Sequence, residues 1–550
     1  MTKKRNPNSS APSHSPRAGA SSRWVVGVAL AVVAVFTVLL CLMPQGNPDL
    51  GWQLRVGSQI LATHRLPHSD FYSWTRFGAP WIAPEWIFFT LCALAARLDG
   101  MLGIWLLTLA LSLVFALALT LVLLRRSGSA ACAAGLAILC VSANMTSLSP
   151  RPQLWTAIAL VALGALLTQE RIRIWLLALL MLVWANLHQG ALSGLGIIGL
   201  MAIGEGLQSV LERSKGHVDQ ARALLSRAAR LMAALALGCV AVLCTPYGWR
   251  MPMQAVDTVA SSKAMDLVSE WQPLTPSGLH EFWSFLGLLA ACAAAYGLSR
   301  RPKSLGEGLA LLLLATQAAL HQRGLMLFSV ISAVFMALHL GDLIGRIRRS
   351  GRVRAGWAAG LVAAILILLA LPTTLLGAQE AVLVYSGPNA PAYRLADVQE
   401  ALGGSGADAV RFLIREQFPT SIRLFNSYGL GGEIIYLASQ YKVFIDGRAD
   451  LYLNGVLGDY FAAVNGPTPN SVLSLLNRYG CDVALVDDPR ELASISCDRS
   501  WVLVYCEHLD DAPPMYRRKW IFVKNKPEYA ALIARCRRDC PQAAMLQPRA

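Results

Sequence analysis

Eleven separate stretches of this chain are apolar and almost uninterrupted, each near the length that a helix needs to cross a bilayer. A spanning helix takes about 20 mostly apolar residues. Runs near that length, some a little short, lie at 24–44, 102–124, 130–146, 152–169, 174–187, 190–211, 231–245, 281–298, 307–321, 324–343 and 356–377. Because the apolar residues come in runs and not in alternation, a transmembrane β-barrel is excluded. Charge content agrees. Only 15% of the 550 residues are charged, against about 25% in a soluble domain, and the mean hydropathy is +0.47. A soluble enzyme is excluded on the same grounds. The expected fold is an all-α polytopic membrane bundle of about 11 transmembrane helices, followed by a small α/β extracytoplasmic domain.

The basic residues orient the bundle. The formal net charge is +15, and its distribution is that of the positive-inside rule and not of a nucleic-acid surface. With the N-terminus cytoplasmic, alternate loops hold Arg125 and Arg126, Arg171 and Arg173, Arg213 to Arg230, Arg300 to Lys303, and Arg346 to Arg354. That side carries about 22 Lys and Arg, against about 8 in the opposite loops before residue 380. Trp81–Leu98 is apolar enough to resemble a span, but counting it as one reverses every later loop. It is expected instead to lie along the outer interface. The organisation is then a disordered cytoplasmic tail at 1–23, a transmembrane domain at 24–379 with a long first external loop at 45–101, and an extracytoplasmic α/β domain at 380–550. In that last domain, strand-like runs at 442–445 and 482–486 alternate with helical stretches near 394–417, 430–438, 455–464 and 470–478. Of the 12 cysteines, seven lie in or beside spans. Cys481, Cys497, Cys506, Cys536 and Cys540 lie outside them, where an oxidising compartment permits Cys536–Cys540 and one further disulfide.

The first external loop interleaves acids, Trp and Arg at the membrane surface: Asn47-Pro48-Asp49, Trp52-Gln53-Leu54-Arg55, Asp70 and Glu85-Trp86. Trp alone is an ordinary interfacial belt. A carboxylate at an apolar boundary is costly unless it is paired or functional, so Asp49, Asp70 and Glu85 are candidates for a general base, with structural pairing to Arg55 as the competing role. The external cations near spans are few, and Arg55, Arg151, Arg250 and Arg323 are the candidates for an anionic phosphate. Arg151 precedes a helix whose N-terminal dipole also favours phosphate. Trp52, Gln53, His188 and Glu270 are candidate acceptor or cavity residues, His188 with packing as its competing role. Asp446-Gly447-Arg448-Ala449-Asp450 is either a salt-bridged turn or a site at a strand end. There is no P-loop, no Gly-x-Ser-x-Gly and no His-Glu-x-x-His, and no residue is assigned to a metal.

These motifs resemble those of bacterial polytopic proteins within the GT-C glycosyltransferase superfamily, whose relatives include protein mannosyltransferases and the aminoarabinose transferases of lipid A. The resemblance rests on Pro48-Asp49 through Glu85-Trp86, Arg151-Pro152-Gln153, Trp184 to His188, Pro246-Tyr247-Gly248, Glu270-Trp271, Arg323, Asn426 to Gly432 and Phe444 to Tyr452. It implies an enzyme of the bacterial inner membrane. Such an enzyme moves a sugar from a polyprenyl-phosphate-linked donor to an extracytoplasmic lipid, glycan or protein acceptor, with inversion and an early-loop acid as base. Asp49 is the best match to that acid, with Asp70 and Glu85 as alternates. Membrane lipids are expected partners and nucleic acid is not. Asn47 stands where the family commonly has Asp, and Gln53 where His is common, which removes two metal-ligand types. The cofactor is left unassigned, and a divalent metal remains compatible. A non-catalytic transporter, lipid-handling protein or assembly protein is the alternative reading.

Overall fold

The structure is a computed structural model that describes residues 23–42, 47–261, 269–276, 279–350, 355–385, 407–453, 455–466, 470–507 and 519–540. The expected tail lies outside the described residues. Runs rich in Leu, Ala and Val fold into α1 (Arg23–Cys41), α3 (Trp86–Ser127), α4 (Ala130–Ala143), α5 (Gln153–Leu167), α6 (Ile174–Leu187), α7 (Ala191–Ser214), α8 (Val218–Leu243), α10 (Leu279–Leu298), α11 (Leu305–Leu320), α12 (Gly324–Arg349) and α13 (Ala355–Tyr385). Two further helices, α2 (Leu50–Thr63) and α9 (Arg250–Ala260), lie in loops at one end of the bundle. Among the described residues, six helices are long and apolar enough to cross a membrane, and five shorter apolar helices accompany them. Together they coincide one for one with the eleven apolar stretches. The chain is a polytopic helical membrane protein. α12 is its hub: almost wholly buried, it packs on α3, α4, α5, α10 and α11.

α3 contains the stretch expected at the interface. Its helical geometry breaks at Asp99 (φ −158°, ψ 50°) and Gly100 (φ 51°, ψ −132°). The positive φ at Gly100 is a conformation that a side chain disfavours. The chain therefore turns between an 86–98 segment, with Phe88, Phe89, Cys92 and Ala93 buried and Arg97 and Leu98 exposed, and the apolar run that follows. Residues 81–85 are not helical, so the segment is shorter than expected at its start.

The last third of the described chain forms a four-stranded sheet of order β1-β2-β4-β3, with β1 (Leu424–Asn426), β2 (Val483–Val486), β3 (Trp501–Cys506) and β4 (Trp520–Lys524). β1 and β2 are parallel and the other pairs antiparallel. Helices Gly431–Leu437, Val456–Val464 and Ser471–Tyr479 lie where the sequence places them. Of the expected 394–417 helix, Ala407–Arg415 is described. The expected strand at 442–445 is not one. Its backbone makes a single bridge, Val443 to Ser73 of the first loop. Val443 N donates to Tyr72 O at 3.0 Å, and Trp74 N to Val443 O at 3.0 Å. The Asn426 side chain takes two more groups, accepting from Phe444 N at 2.8 Å and donating to Ile445 O at 2.7 Å, and Thr75 Oγ1 donates to Phe444 O at 2.5 Å. A side chain thus replaces the neighbouring strand that the apolar run seemed to call for. Among the described residues no disulfide forms; the Cys536 and Cys540 thiols sit four apart at the end of the last helix, both buried.

Candidate functional site

The first loop meets the sheet domain through backbone contact. Gly51, in the first turn of α2, lies against Gly432 O, and Gly432 in turn against Pro48 O. This approach fixes the residues between. Asn47 Oδ1 accepts the N–H of Asp49 at 3.1 Å, while Asn47 Nδ2 donates to Pro150 O at 2.8 Å and to Gln53 Oε1 at 3.3 Å. The amides at the two positions that depart from the family pattern thus clamp the loop to the turn before α5. Trp52, buried edge-on against Trp81 and Phe89, donates its indole N–H to Asp49 Oδ1 at 3.0 Å. Asp49 precedes α2 without capping it, so its carboxylate stays available.

Four acids converge here. Burial pushes the Asp49 carboxyl up to about 6; the Trp52 hydrogen bond and Arg151 oppose the rise, and Glu270 and Asp446 add to it. Burial also pushes Glu85, at the start of α3, up to about 7, with Asp450 and Asp49 as like charges and Arg323 opposing. Asp450 is raised by burial as well, although Gln254 donates to it. Glu270 behaves oppositely. Burial alone would raise it, but the Arg323 and Arg151 guanidiniums outweigh burial and hold it at about 2. Arg151 pairs with Glu270 Oε1, and Arg323 Nε with Oε2 at 2.7 Å. Two guanidiniums share one carboxylate, leaving a net positive charge beside Asp49 and Glu85. The backbone holds this triad in place: Arg323 N donates to Glu270 O at 3.1 Å and Gln322 N to Gln272 O at 3.1 Å, and the Arg323 guanidinium covers the Trp271 ring at 5.5 Å.

His188, past the end of α6, is a neutral neighbour. Burial lowers it to about 3, with Arg323 nearby. Its Nδ1 accepts from Gly190 N at 3.1 Å and lies 2.6 Å from Thr156 Oγ1, which itself accepts from Trp184 at 2.9 Å. These partners leave the imidazole proton on Nε2.

Asp70 is held elsewhere. It is fully buried, accepts from Tyr72 N, Ser73 N and Ser73 Oγ, and pairs with Arg448 Nη1 at 2.8 Å. Arg448 also forks onto Asp446 at 2.7 and 2.6 Å and stacks over Trp81 at 4.7 Å. Asp446–Arg448 is thus the salt-bridged turn, and with Asp70 it locks the first loop to the sheet domain. Arg55 and Arg250 are exposed and are not brought to Asp49; the Arg55 pairing with Asp49 or Glu85 is not made. Sequence reasoning missed Tyr428, which lies within electrostatic reach of Asp49, Asp446 and Asp450, and the Gln189–Gln254 amide pair at 2.6 Å that reaches Asp450. An amide on an amphipathic helix gives no signal of such a role. Among the described residues no group of three His, Cys, Asp or Glu side chains is placed to hold a metal ion.

Gly447 is where the site tolerates least. A Cβ there would strike Asp49 Oδ1. Gly447→Ala is expected to displace the carboxylate and lower any activity that uses it by about 100-fold, as a misplacement near 1 Å does. Activity of the variant, read beside its unfolding midpoint, checks this.

A solved structure of the same architecture exists. The archaeal oligosaccharyltransferase AglB from Archaeoglobus fulgidus, in complex with an inhibitory peptide and a dolichol-phosphate, matches with a TM-score of 0.53 at 13% identity, over 84% of this chain and 69% of that one. This chain has the GT-C fold. ArnT from Cupriavidus metallidurans, bound to undecaprenyl phosphate, matches at a TM-score of 0.48 and 15% identity, over 91% of this chain and 98% of that one. No family model and no curated protein matches the chain.

Proposed function

We propose that this GT-C-fold chain is an integral-membrane glycosyltransferase that moves a sugar from a polyprenyl-phosphate-linked donor to an extracytoplasmic acceptor, with inversion. The observation that carries the reading is the convergence of Asp49 and Glu85 with the Arg151–Glu270–Arg323 triad, beneath the sheet domain. Asp49 is the base. It takes the acceptor hydroxyl proton as the acceptor oxygen attacks the anomeric carbon; the bond from that carbon to the donor phosphate oxygen breaks, and polyprenyl phosphate leaves as the anion. A hydroxyl is a poor nucleophile, and a positioned carboxylate removes its proton in the transition state. Arg151 and Arg323 receive the developing phosphate charge. Glu270 holds both guanidiniums apart and aimed before the donor arrives. Glu85, raised by its setting, hydrogen-bonds a sugar hydroxyl. AglB, which shares the fold, is in complex with a dolichol-phosphate, and a polyprenyl-phosphate donor is of that chemical kind.

The basic loops at the opposite end of the bundle support a cytoplasmic placement of that end by the positive-inside rule, and with it a site that opens to the outer face. The test is reconstitution of the full chain in liposomes with labelled polyprenyl-phosphate sugars. Transfer to an added envelope extract supports the reading; lipid movement without transfer refutes it in favour of a transporter. The base also sets a pH profile. Protonated Asp49 cannot accept a proton, so transfer is expected to fall as pH drops through about 6. A rate that is flat from pH 8 to pH 5 would rule out a carboxylate base of this pKa.

A further inference from the structure

A cleft of about 400 Å³ opens in the sheet domain beside the candidate site, within the range of roughly 300–1,000 Å³ for small-molecule sites. One wall is aromatic. Tyr428 and Phe461 have ring centroids 5.5 Å apart, and both pack on Tyr460, at 6.3 and 5.2 Å. The other wall is polar: Asp487, Asp488, Asn465 and Arg490, with Arg490 donating to Asn465 Oδ1 at 3.0 Å. The floor is locked. Fully buried Glu491 accepts from Ser427 Oγ and, at 2.8 Å, from Tyr460 OH, which itself takes Tyr428 N at 2.9 Å. Tyr428 opens the turn that runs into Gly431 and Gly432, which pack against Asp446 and Pro48. The cleft therefore adjoins the segment that carries the proposed base.

From this geometry we infer that the cleft is the acceptor subsite, and that the acceptor it takes is a carbohydrate without negative charge. This rests on the transferase reading above and names its acceptor class. Two carboxylates against one guanidinium disfavour an anion, which separates this cleft from the positive triad that suits the donor phosphate. Carboxylate and amide oxygens accept sugar hydroxyl protons, and aromatic faces, negative at their centres, receive the C–H-bearing face of a sugar ring. A peptide adding as a strand needs an open sheet edge. The nearest edge, β1, is already engaged: Trp74 donates to Leu424 O at 2.9 Å, and Asn426 holds Phe444 and Ile445.

The experiment uses the full chain in detergent, with maltotetraose and chitotetraose as neutral probes, a tetra-alanine peptide as a rival and undecaprenyl phosphate as the donor-side ligand. Saturation-transfer NMR is expected to show binding of at least one saccharide with Kd of about 1 mM, weakened about tenfold by Phe461→Ala and by Asp487→Asn, while undecaprenyl phosphate binding is unchanged. Arg490→Ala, a change at an exposed side chain, is expected to weaken the saccharide likewise and serves if Phe461→Ala fails to fold. Absence of saccharide binding overturns the inference, as does binding that no variant weakens, or a peptide that binds in the saccharide's place. Loss of undecaprenyl phosphate binding to the unaltered chain with the saccharide still bound overturns instead the transferase reading.

Discussion

Replacing Asp49 by Asn is expected to lower sugar transfer by about 10²- to 10⁴-fold, the range for loss of a positioned general base, in a protein that remains folded. Asn keeps an oxygen for the Trp52 indole, so the loop geometry survives. The charge itself is no asset to folding. Burial raises this carboxyl to about 6 in the folded protein, above its ordinary value near 3.9. The folded state therefore holds the Asp49 proton more tightly than the unfolded state. The group favours folding below the ordinary value, and that contribution is lost as pH rises through about 6. Above pH 6 the neutral Asn variant should consequently be at least as stable as the parent. Labelled-sugar transfer and the unfolding midpoint, measured together at pH 7.5, decide the matter. Transfer at the parental rate would remove Asp49 from the role and pass it to Glu85.

Arg448→Met tests the other buried charges and should act on stability. Arg448 is enclosed between Asp70 and Asp446, with all three side chains almost wholly inaccessible to solvent. Removing one partner of a buried ion pair costs about 3–5 kcal/mol, because the remaining charge is stranded. Here two carboxylates would be stranded at once, and the upper end of that range is expected. Chemical unfolding in detergent measures the loss, and proteolysis should open the first loop near Tyr72–Trp74. Adding Asp70→Asn and Asp446→Asn to the same chain should recover part of the stability. If Arg448→Met alone leaves the midpoint where it was, the lock between the loop and the sheet domain is not the ion-pair cluster.

The membrane bundle was legible because its signal is local. A run of apolar residues needs no knowledge of the rest of the chain to be read as a helix, and the position of Arg125 and Arg126 is what argues against counting Trp81–Leu98 as a span. Asp49, Glu85, Arg151, Glu270 and Arg323 were named from chemistry that is expensive at a membrane surface unless it is used or paired. What sequence could not supply was the partner of each charge. Asp70 and Asp49 look alike on the page, yet one is locked by Arg448, 378 positions later, and the other lies against Gly447. Arg55 lies nearer in sequence to both acids than Arg448 does and meets neither. Lys442–Ile445 reads as a strand by composition, but one Asn side chain and one loop consume its hydrogen bonds. Long-range pairing decided each of these, and no local pattern carries it.

The rung between Tyr72–Trp74 and Val443 couples the earliest loop to a segment that emerges from the ribosome late. Until translation has passed residue 450, Asp49 has no Gly447 against it, Asp70 has no guanidinium, and Glu85 has no Asp450. A nascent or truncated chain thus lacks the contacts that surround these three acids, and their setting is complete only when the final portion has closed over the first.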